Sequence, residues 1–326
     1  MTAAAPRESL RVLVTGADGF VGRHLQRALV QRGVEYRATV RAEGIPADSR
    51  RYAVGDIGPQ TDWRAALAGI DVVIHLAARA HVLRETAADP RAEFMRVNAE
   101  GTGALVTAAV AAGVQRFIYA SSIGVLGNTS GHAPFTSDCA PRPHDAYSES
   151  KLAGERAARS AAARLEVVVL RLPLIYGPGV GGNFLQLLRW VDMGWPLPLA
   201  GVENVRSFLS VWNLCDLMMH VLKNPVAGGR SWLVSDGEDL STPELVRRIA
   251  GFMQRKARLA RVPVSLLQVL GRLTGQHAQI TKLYASLAVD ITQTCRELGW
   301  SPPVSVEEAL GRTVSWYLSE GRRRKF

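Results

Sequence analysis

Residues 11–22, with the sequence RVLVTGADGFVG, decide the fold class. The apolar run that opens this stretch is typical of a buried strand, and the residues after the last glycine continue as a helix. Gly16, Gly19 and Gly22 lie between the two in a GxxGxxG spacing. Glycines at these positions let the backbone approach a pyrophosphate, and the N-terminus of the helix offers free N–H groups. The stretch therefore predicts a strand, a phosphate-binding loop and a helix.

The chain from residue 10 to residue 171 alternates short β-branched runs with alanine-rich helical stretches. This alternation predicts a parallel sheet covered by helices on both faces, the doubly wound α/β arrangement of a Rossmann domain. The runs DVVIHLAA (71–78) and EVVVLRL (166–172) are apolar almost throughout, as expected of strands buried on both faces. We expect residues 1–173 to form a dinucleotide-binding domain.

Proline- and glycine-rich turns dominate the sequence after Pro173, for example YGPGVGG and GWPLPLAG. This change of pattern predicts a smaller substrate-binding region over residues 174–326. A strand and helix at about 206–223 are expected to return to the main sheet.

The composition is that of a soluble globular protein, with 326 residues, 47% hydrophobic and 21% charged. The sequence has no apolar run of about 20 residues, the length needed to cross a bilayer. The N-terminus lacks the apolar core of a secretory signal. Cys139, Cys215 and Cys295 are too far apart for an evident disulfide framework or zinc site, and the histidines show no metal-ligand spacing. We expect a cytoplasmic protein without a metal ion.

A formal net charge of +10 calls for an anionic partner. Nucleic acid, anionic lipid and phosphorylated small molecules are the candidates. The arginines are spread over many predicted helices, and the one compact cluster is the tail GRRRKF (321–326). We therefore expect a phosphorylated small-molecule substrate, no nucleic acid and no stable membrane insertion.

Arg41 bears on the choice of cofactor. Dinucleotide-binding folds commonly place an acid at the end of the second strand to bind the adenosine ribose hydroxyls. This chain has ATVRAEG at that point. The Arg41 guanidinium can bind a phosphate through two hydrogen bonds, which favours NADP(H) and leaves NAD(H) open. Asp56, in GDIG, is placed to bind the adenine amino group.

The stretch YSESK puts Tyr147 and Lys151 four residues apart, hence on one face of a predicted helix. An ammonium beside a phenol lowers its pKa, so Tyr147 is expected to exchange a proton near neutral pH. Ser121 and Ser122 end a predicted strand, where a hydroxyl can hydrogen-bond to a substrate oxygen as charge develops on it. No histidine–acid pair lies nearby in the sequence, which disfavours a hydrolase.

These motifs, in this order, resemble those of the extended short-chain dehydrogenases/reductases, in the nucleotide-sugar epimerase/dehydratase family. The resemblance spans most of the chain, from VLVTGADGFVG to RELGWSPP. It implies that Ser122, Tyr147 and Lys151 are catalytic, that Tyr147, Lys151 and Asn98 contact the cofactor, and that Asn98 also steadies the active site. It also implies cofactor contacts beyond the three glycines, Arg41 and Asp56. These are Phe20, Val21, Ile57, Leu76, Ala77 and Ala78.

The same resemblance suggests where a nucleotide diphosphate would bind. The stretches GGNF and VRSF are similar to elements that hold this group. The substrate residues so implied are Asn183, Phe184, Arg206, Phe208 and Lys282, together with Ser121, Ser122 and Tyr147.

Ile123 and Gly124 stand where 4,6-dehydratases of the family carry an Asp-Glu pair. Removing water needs an acid and a base, so dehydration is disfavoured. The resemblance is closest to bacterial surface-polysaccharide (lipopolysaccharide) enzymes. It implies an NAD(P)H-dependent reductase of the C4 ketone of a UDP-linked 6-deoxy-N-acetylhexosamine, acting as a homodimer. An NAD-dependent UDP-sugar 4-epimerase is the main alternative; a small-ketone reductase and a non-catalytic dinucleotide sensor are the others.

Overall fold

A seven-stranded parallel sheet forms the centre of the molecule in the computed structural model, which describes residues 10–41, 50–80, 87–262 and 284–323. Its strands, in spatial order, are β3 (Arg51–Ala53), β2 (Glu35–Val40), β1 (Arg11–Thr15), β4 (Val72–His75), β5 (Arg116–Ser122), β6 (Glu166–Leu172) and β9 (Ser231–Leu233). Each neighbouring pair is parallel. The predicted doubly wound fold is confirmed.

Helices cover the sheet and build the smaller region. They are α1 (Phe20–Gln31), α2 (Arg64–Leu67), α3 (Pro90–Met95), α4 (Gly101–Ala111), α5 (Ala146–Arg159), α6 (Gly182–Asp192), α7 (Val211–Val221), α8 (Thr242–Phe252), α9 (Thr292–Leu298) and α10 (Val306–Ser319). One turn of π-helix, Arg96–Glu100, joins α3 to α4. Such turns are frequent at functional sites, and this one carries Asn98.

Both faces of the main sheet are buried. Val12 and Val14 of β1 pack with Leu25 of α1 in the core on one face. Leu13, between them, packs with Leu105 of α4 in the core on the other face. Because side chains alternate along a strand, one strand serves both cores, which explains why the predicted strands are apolar throughout.

A second sheet of three strands lies beside the main one, in the order β10 (Asp239–Leu240), β8 (Arg206–Ser210) and β7 (Leu174–Tyr176). It packs against α6, α8 and α10 around a separate core. The expected return of a strand at about 206–223 is therefore wrong, because β8 pairs with β7 and β10, and β9 is the strand that joins the main sheet. The helix of that stretch, α7, does pack in the main core beside α1.

Within the described ranges, no helix combines the length and the apolar character needed to cross a membrane.

Candidate active site

The glycine loop after β1 has no room for side chains. Gly16 has a φ of +68°, and a Cβ there would lie 2.8 Å from the backbone nitrogen of Ala77. A Cβ on Gly22 would lie 2.3 Å from the Gly16 carbonyl oxygen. Gly19 directly precedes α1, whose first residues Phe20 and Val21 are partly buried against the core. The loop is thus a bare backbone cradle at a helix N-terminus, which fits the pyrophosphate of a dinucleotide.

Arg41 and Asp56 lie together at the edge of the sheet. Arg41 Nε lies 3.4 Å from Asp56 Oδ1, and the two side chains are 79% and 78% exposed. Both groups are therefore available to a ligand at this edge of the sheet. Ile57, the next residue, is partly buried, and its Cγ2 would lie 2.8 Å from a Cβ on Gly101.

A directed chain of hydrogen bonds links the glycine loop to the π turn. The Ala77 N–H donates to Thr15 Oγ1 (3.2 Å), which lies 2.7 Å from His75 Nδ1. On the other side, His75 Nε2 lies 3.0 Å from Thr102 Oγ1, whose proton goes to the Asn98 carbonyl (2.7 Å). The bond from Thr102 to the Asn98 carbonyl requires His75 Nε2 to donate to Thr102. Thr15, which accepts from Ala77, has its own proton available for Nδ1, and this is the arrangement of a neutral His75. Burial lowers the pKa of His75 to about 3, in agreement with that assignment.

Asn98 connects the loop after β4 to the helix that carries Tyr147 and Lys151. Its amide donates to the Arg79 carbonyl (3.0 Å) and to Ser150 Oγ (2.9 Å), and its oxygen accepts from the Arg79 N–H (2.8 Å). Ser150 in turn donates to the Tyr147 carbonyl (2.7 Å). Asn98 thereby fixes the loop that includes residues 76–78 relative to the first turn of α5.

The first turn of α5 holds Tyr147 in place. Asp145 caps this helix in a capping box with Ser148, which explains why the helix begins at Ala146. Ser122 ends β5, and its hydroxyl accepts from the Gly124 N–H (3.1 Å). Burial raises the pKa of Tyr147 to about 12, against the lowering effect of a hydrogen bond from Ser122. The structure brings these two predicted residues together.

Lys151 is 2% exposed, and its Nζ lies 4.2 Å from the centre of the Tyr119 ring. Burial lowers the pKa of Lys151 to about 7, and the negative charge of Glu155 opposes this shift. In the structure described, burial raises the pKa of Tyr147 and the lowering contribution comes from Ser122, so the lowering expected from Lys151 is not seen. The ammonium instead lies against an aromatic face, where a cation is stabilised.

Ser121 lies in a buried charge cluster instead of at the cofactor or substrate. Its hydroxyl donates to Glu155 Oε1 (2.6 Å), and that carboxylate is also bound by Arg171 of β6. Successive residues of a strand point to opposite faces, so Ser121 and the neighbouring Ser122 have different surroundings. The proposed substrate contact of Ser121 is therefore wrong.

Two of the predicted substrate residues are core residues of the small sheet. Phe184 stacks on Tyr176 with ring centres 5.4 Å apart, and Phe208 meets the same ring edge-on at 6.5 Å. They are only 3% and 4% exposed, which corrects their assignment to the substrate. Asn183, in the first turn of α6, is exposed and remains available to a ligand.

Arg206, at the start of β8, is not a surface charge. Its Nη1 donates to the Ala285 carbonyl (3.3 Å), and burial lowers its pKa. A partly buried guanidinium can bind a phosphate, so the arrangement is compatible with the predicted role. Lys282, the remaining predicted substrate residue, lies outside the described residues.

Sequence reasoning missed the residues packed beneath Lys151. Gly154 lies on α5 where a Cβ would be 2.2 Å from the Tyr119 hydroxyl oxygen and 2.5 Å from the Asn98 carbonyl oxygen. Glu155 follows Lys151 by four residues, so helical spacing alone could have placed both on one face. Gly154 and Tyr119 carry no such signal, because their contact depends on how the helix packs on the sheet.

A glycine loop at a helix N-terminus and a Ser122–Tyr147–Lys151 group at the carboxyl end of β5 define a dinucleotide-dependent oxidoreductase of the short-chain dehydrogenase/reductase type. Residues 12–235 match the model of the NAD dependent epimerase/dehydratase family. The chain belongs to this family.

Relatives of known name extend over almost the whole chain. It is 37% identical to a UDP-glucose 4-epimerase of Vibrio cholerae over 318 residues, which cover 96% of this chain and 97% of the relative. It is 31% identical to a dTDP-glucose 4,6-dehydratase of Streptomyces griseus, covering 94% of this chain and 93% of the relative. Among solved structures, MoeE5 in complex with UDP-glucuronic acid and NAD matches with a TM-score of 0.77 and 29% identity, over 94% of this chain and 99% of MoeE5.

Proposed function

We propose that this protein catalyses hydride transfer at C4 of a nucleotide-linked hexose. The observation that carries the proposal is the contact of Ser122, at the carboxyl end of β5, with Tyr147 on α5. Asn98 links α5 to the loop after β4 through its hydrogen bonds with Ser150 and Arg79. Tyr147 and Ser122 provide a proton donor and a second hydrogen-bond donor for one oxygen atom of a substrate. A nicotinamide cofactor in the glycine loop would supply the hydride donor or acceptor.

The proposed roles of the three residues follow from their surroundings. Tyr147, with a pKa raised to about 12 by burial, is protonated at neutral pH and can give its proton to the C4 oxygen. Ser122 donates a hydrogen bond to the same oxygen as negative charge develops on it. Lys151 is held beside the Tyr119 ring, and its pKa of about 7 lets its charge respond to a bound ligand.

Loss of water from the sugar does not fit the residues after Ser122. Ile123 is 3% exposed and packs in a small apolar core, and Gly124 has no side chain. Neither can act as an acid or a base, although a 4,6-dehydratase is among the relatives. We therefore propose chemistry at C4 without dehydration.

The substrate we propose is a UDP-sugar. The Vibrio cholerae relative is named a UDP-glucose 4-epimerase, and the structure of MoeE5 contains UDP-glucuronic acid with NAD. The relative favours a 4-epimerase, which oxidises and re-reduces C4. The exposed Arg41, at the site expected for a 2′-phosphate, favours the 4-ketoreductase predicted from the sequence, with NADPH drawn from solution.

Two incubations distinguish these forms. Interconversion of UDP-glucose and UDP-galactose, or of their N-acetylamino forms, without added cofactor would establish the epimerase. Oxidation of NADPH or NADH that depends on UDP-4-keto-6-deoxy-N-acetylglucosamine would establish the reductase. Failure of both, with cofactor bound, would contradict hydride transfer to a UDP-sugar and favour the sensor or the small-ketone reductase.

Tyr147→Phe tests the catalytic assignment within whichever reaction is found. We expect turnover to fall by about 10²–10⁴-fold, the usual contribution of a general acid, with cofactor affinity unchanged. Tyr52→Phe, on β3, is the matched control and should retain activity. Full activity of Tyr147→Phe would contradict the proposed proton transfer. The homodimer remains a prediction that sedimentation equilibrium can test.

A further inference from the structure

Two large apolar side chains are exposed at the turn that follows α6. Met193 is 53% exposed and Trp195 is 55% exposed, although both residue types are usually largely buried. Only Gly194 separates them in the chain. The turn lies in the small-sheet region, where none of the residues assigned to catalysis or cofactor binding lies.

This exposure belongs to a fixed turn and not to a loose loop. The Gly194 N–H donates to the Val191 carbonyl (3.0 Å), and the Trp195 N–H donates to the Trp190 carbonyl (3.2 Å). Just beyond, Leu197 is buried, and its backbone exchanges hydrogen bonds of 2.8 Å with Arg258 and Ala260. The tip is apolar and exposed while its base is anchored in the core.

Basic residues surround this apolar tip. Asp192, which precedes Met193, forms ion pairs with Arg255 (2.9 Å) and with Arg322 (2.7 Å). One carboxylate thus faces two guanidinium groups, which leaves a local positive charge. The two ion pairs also bring the segment after α8 and the segment after α10 to the same turn.

The segment after α8 adds more positive charge. Residues 255–261, RKARLAR, contain four basic residues and no acidic one. Lys256, Arg258 and Arg261 are exposed, as is Arg323 beside Arg322. The backbone pairing of residue 197 with residues 258 and 260 places this basic segment beside the turn that carries Trp195.

We infer that this surface docks the protein on an anionic lipid bilayer. The surface is formed by Met193, Trp195, the basic residues within 255–261, Arg322 and Arg323. Exposed tryptophan and methionine can enter the headgroup region, because the indole ring is stable where one side is apolar and the other is wet. Arginine and lysine around them meet lipid phosphates. Such a surface lies on a membrane without crossing it.

The charge of the surface decides against a second copy of this chain as the occupant. A two-fold contact would place the same basic residues against one another, which is unfavourable. Nucleic acid would account for the arginines but would leave the methionine without a role. A bilayer with anionic headgroups uses both the apolar tip and its basic surroundings.

Sedimentation with vesicles tests the inference on the full chain. We expect binding to vesicles of phosphatidylcholine and phosphatidylglycerol in equal amounts, and little binding to phosphatidylcholine alone. Raising the salt concentration to about 0.5 M should reduce binding by about tenfold or more, because it screens the charges. The measurement needs neither substrate nor cofactor, so its outcome is independent of the proposed reaction.

Surface variants identify the residues responsible. Met193→Ser with Trp195→Ser should lower vesicle binding about fivefold or more, and Lys256→Glu with Arg258→Glu should do the same. Val226→Ser, an exposed apolar residue elsewhere (44% exposed), is the matched control and should bind like the unchanged protein. All should keep the thermal unfolding temperature of the unchanged protein.

Several results would overturn the inference. These are equal binding to neutral vesicles, no binding to anionic ones, or unchanged binding by the Met193–Trp195 double variant. If that double variant instead abolished self-association or binding of an oligonucleotide while vesicle binding stayed absent, the surface would be assigned to a second copy or to nucleic acid.

Discussion

Glu155 and Arg171 form a two-pronged ion pair, with Arg171 Nε 3.0 Å from Glu155 Oε1 and Arg171 Nη2 2.8 Å from Glu155 Oε2. Their side chains are only 2% and 7% exposed. Ser121 donates a further hydrogen bond to the carboxylate. Ser121 of β5 and Arg171 of β6 thus hold the Glu155 carboxylate on α5, one helical turn from Lys151. There its negative charge favours the ammonium form of the lysine.

Removing one partner of this pair should destabilise the fold strongly. We expect Glu155→Gln to lower the free energy of unfolding by about 3–5 kcal/mol, because it leaves the Arg171 charge buried without its partner. The double variant Glu155→Gln/Arg171→Met should lose much less. Urea unfolding of both single variants and the double variant measures the difference.

The pair of Arg11 and Glu35 is the control for that experiment, since both side chains are open to water, 40% and 55% exposed. Glu35→Gln should cost about 1 kcal/mol or less, as for other pairs open to water. Equal losses for Glu155→Gln and Glu35→Gln would contradict the importance given to burial.

Gly154 should not tolerate a side chain. A Cβ there would lie 2.2 Å from the Tyr119 hydroxyl, so Gly154→Ala must displace either Tyr119 or α5. We expect a loss of about 1–3 kcal/mol, measured by urea unfolding. Gly103→Ala on α4 is the control, since its Cβ would meet Ala157 at 3.8 Å, and it should gain up to about 1 kcal/mol. Equal effects would refute the steric explanation.

Much of the fold could be predicted from local sequence. The apolar strands and the glycine loop carry their structural meaning within a few residues, and the structure has them where they were expected. The placement of β8 could not be predicted in this way. A short run such as RSFLS is compatible with either sheet, and its partners are chosen by long-range packing.

The side chains of the site show the same division. Ser122 and Tyr147 were found because their spacing has a chemical meaning in itself. Phe184, Phe208 and Ser121 were misassigned because the direction of a side chain depends on what lies beneath it. The pKa of Tyr147 was misjudged because burial, the largest effect on it, is not visible in a spacing of four residues.

Arg41 should determine the preference between the two nicotinamide cofactors. If its exposed guanidinium binds a 2′-phosphate, Arg41→Ala should weaken NADPH binding about tenfold or more, the equivalent of about 1.4 kcal/mol, and leave NADH binding nearly unchanged. Fluorescence titration with each cofactor measures both constants. Arg64→Ala, an exposed arginine paired with Asp62, is the control. Equal weakening of both cofactors, or of neither, would remove the basis for favouring NADPH.

The buried Lys151 should lower the free energy of unfolding of the protein near pH 7. Burial lowers its pKa from 10.5 to about 7, so between these values the unfolded chain binds more protons than the folded one. The stability of the unchanged protein therefore falls as the pH drops from above 10 towards 7.

We expect Lys151→Met to raise the free energy of unfolding at pH 7 by on the order of 2–4 kcal/mol while it abolishes turnover. This gain should shrink as the pH rises, because the lysine then becomes neutral in the unfolded chain as well. Urea unfolding across this pH range measures it, and Lys223→Met, an exposed lysine, should change little at any pH. A less stable Lys151→Met protein at pH 7 would show that the contact of the ammonium with Tyr119 and the charge of Glu155 outweigh the cost of burying it.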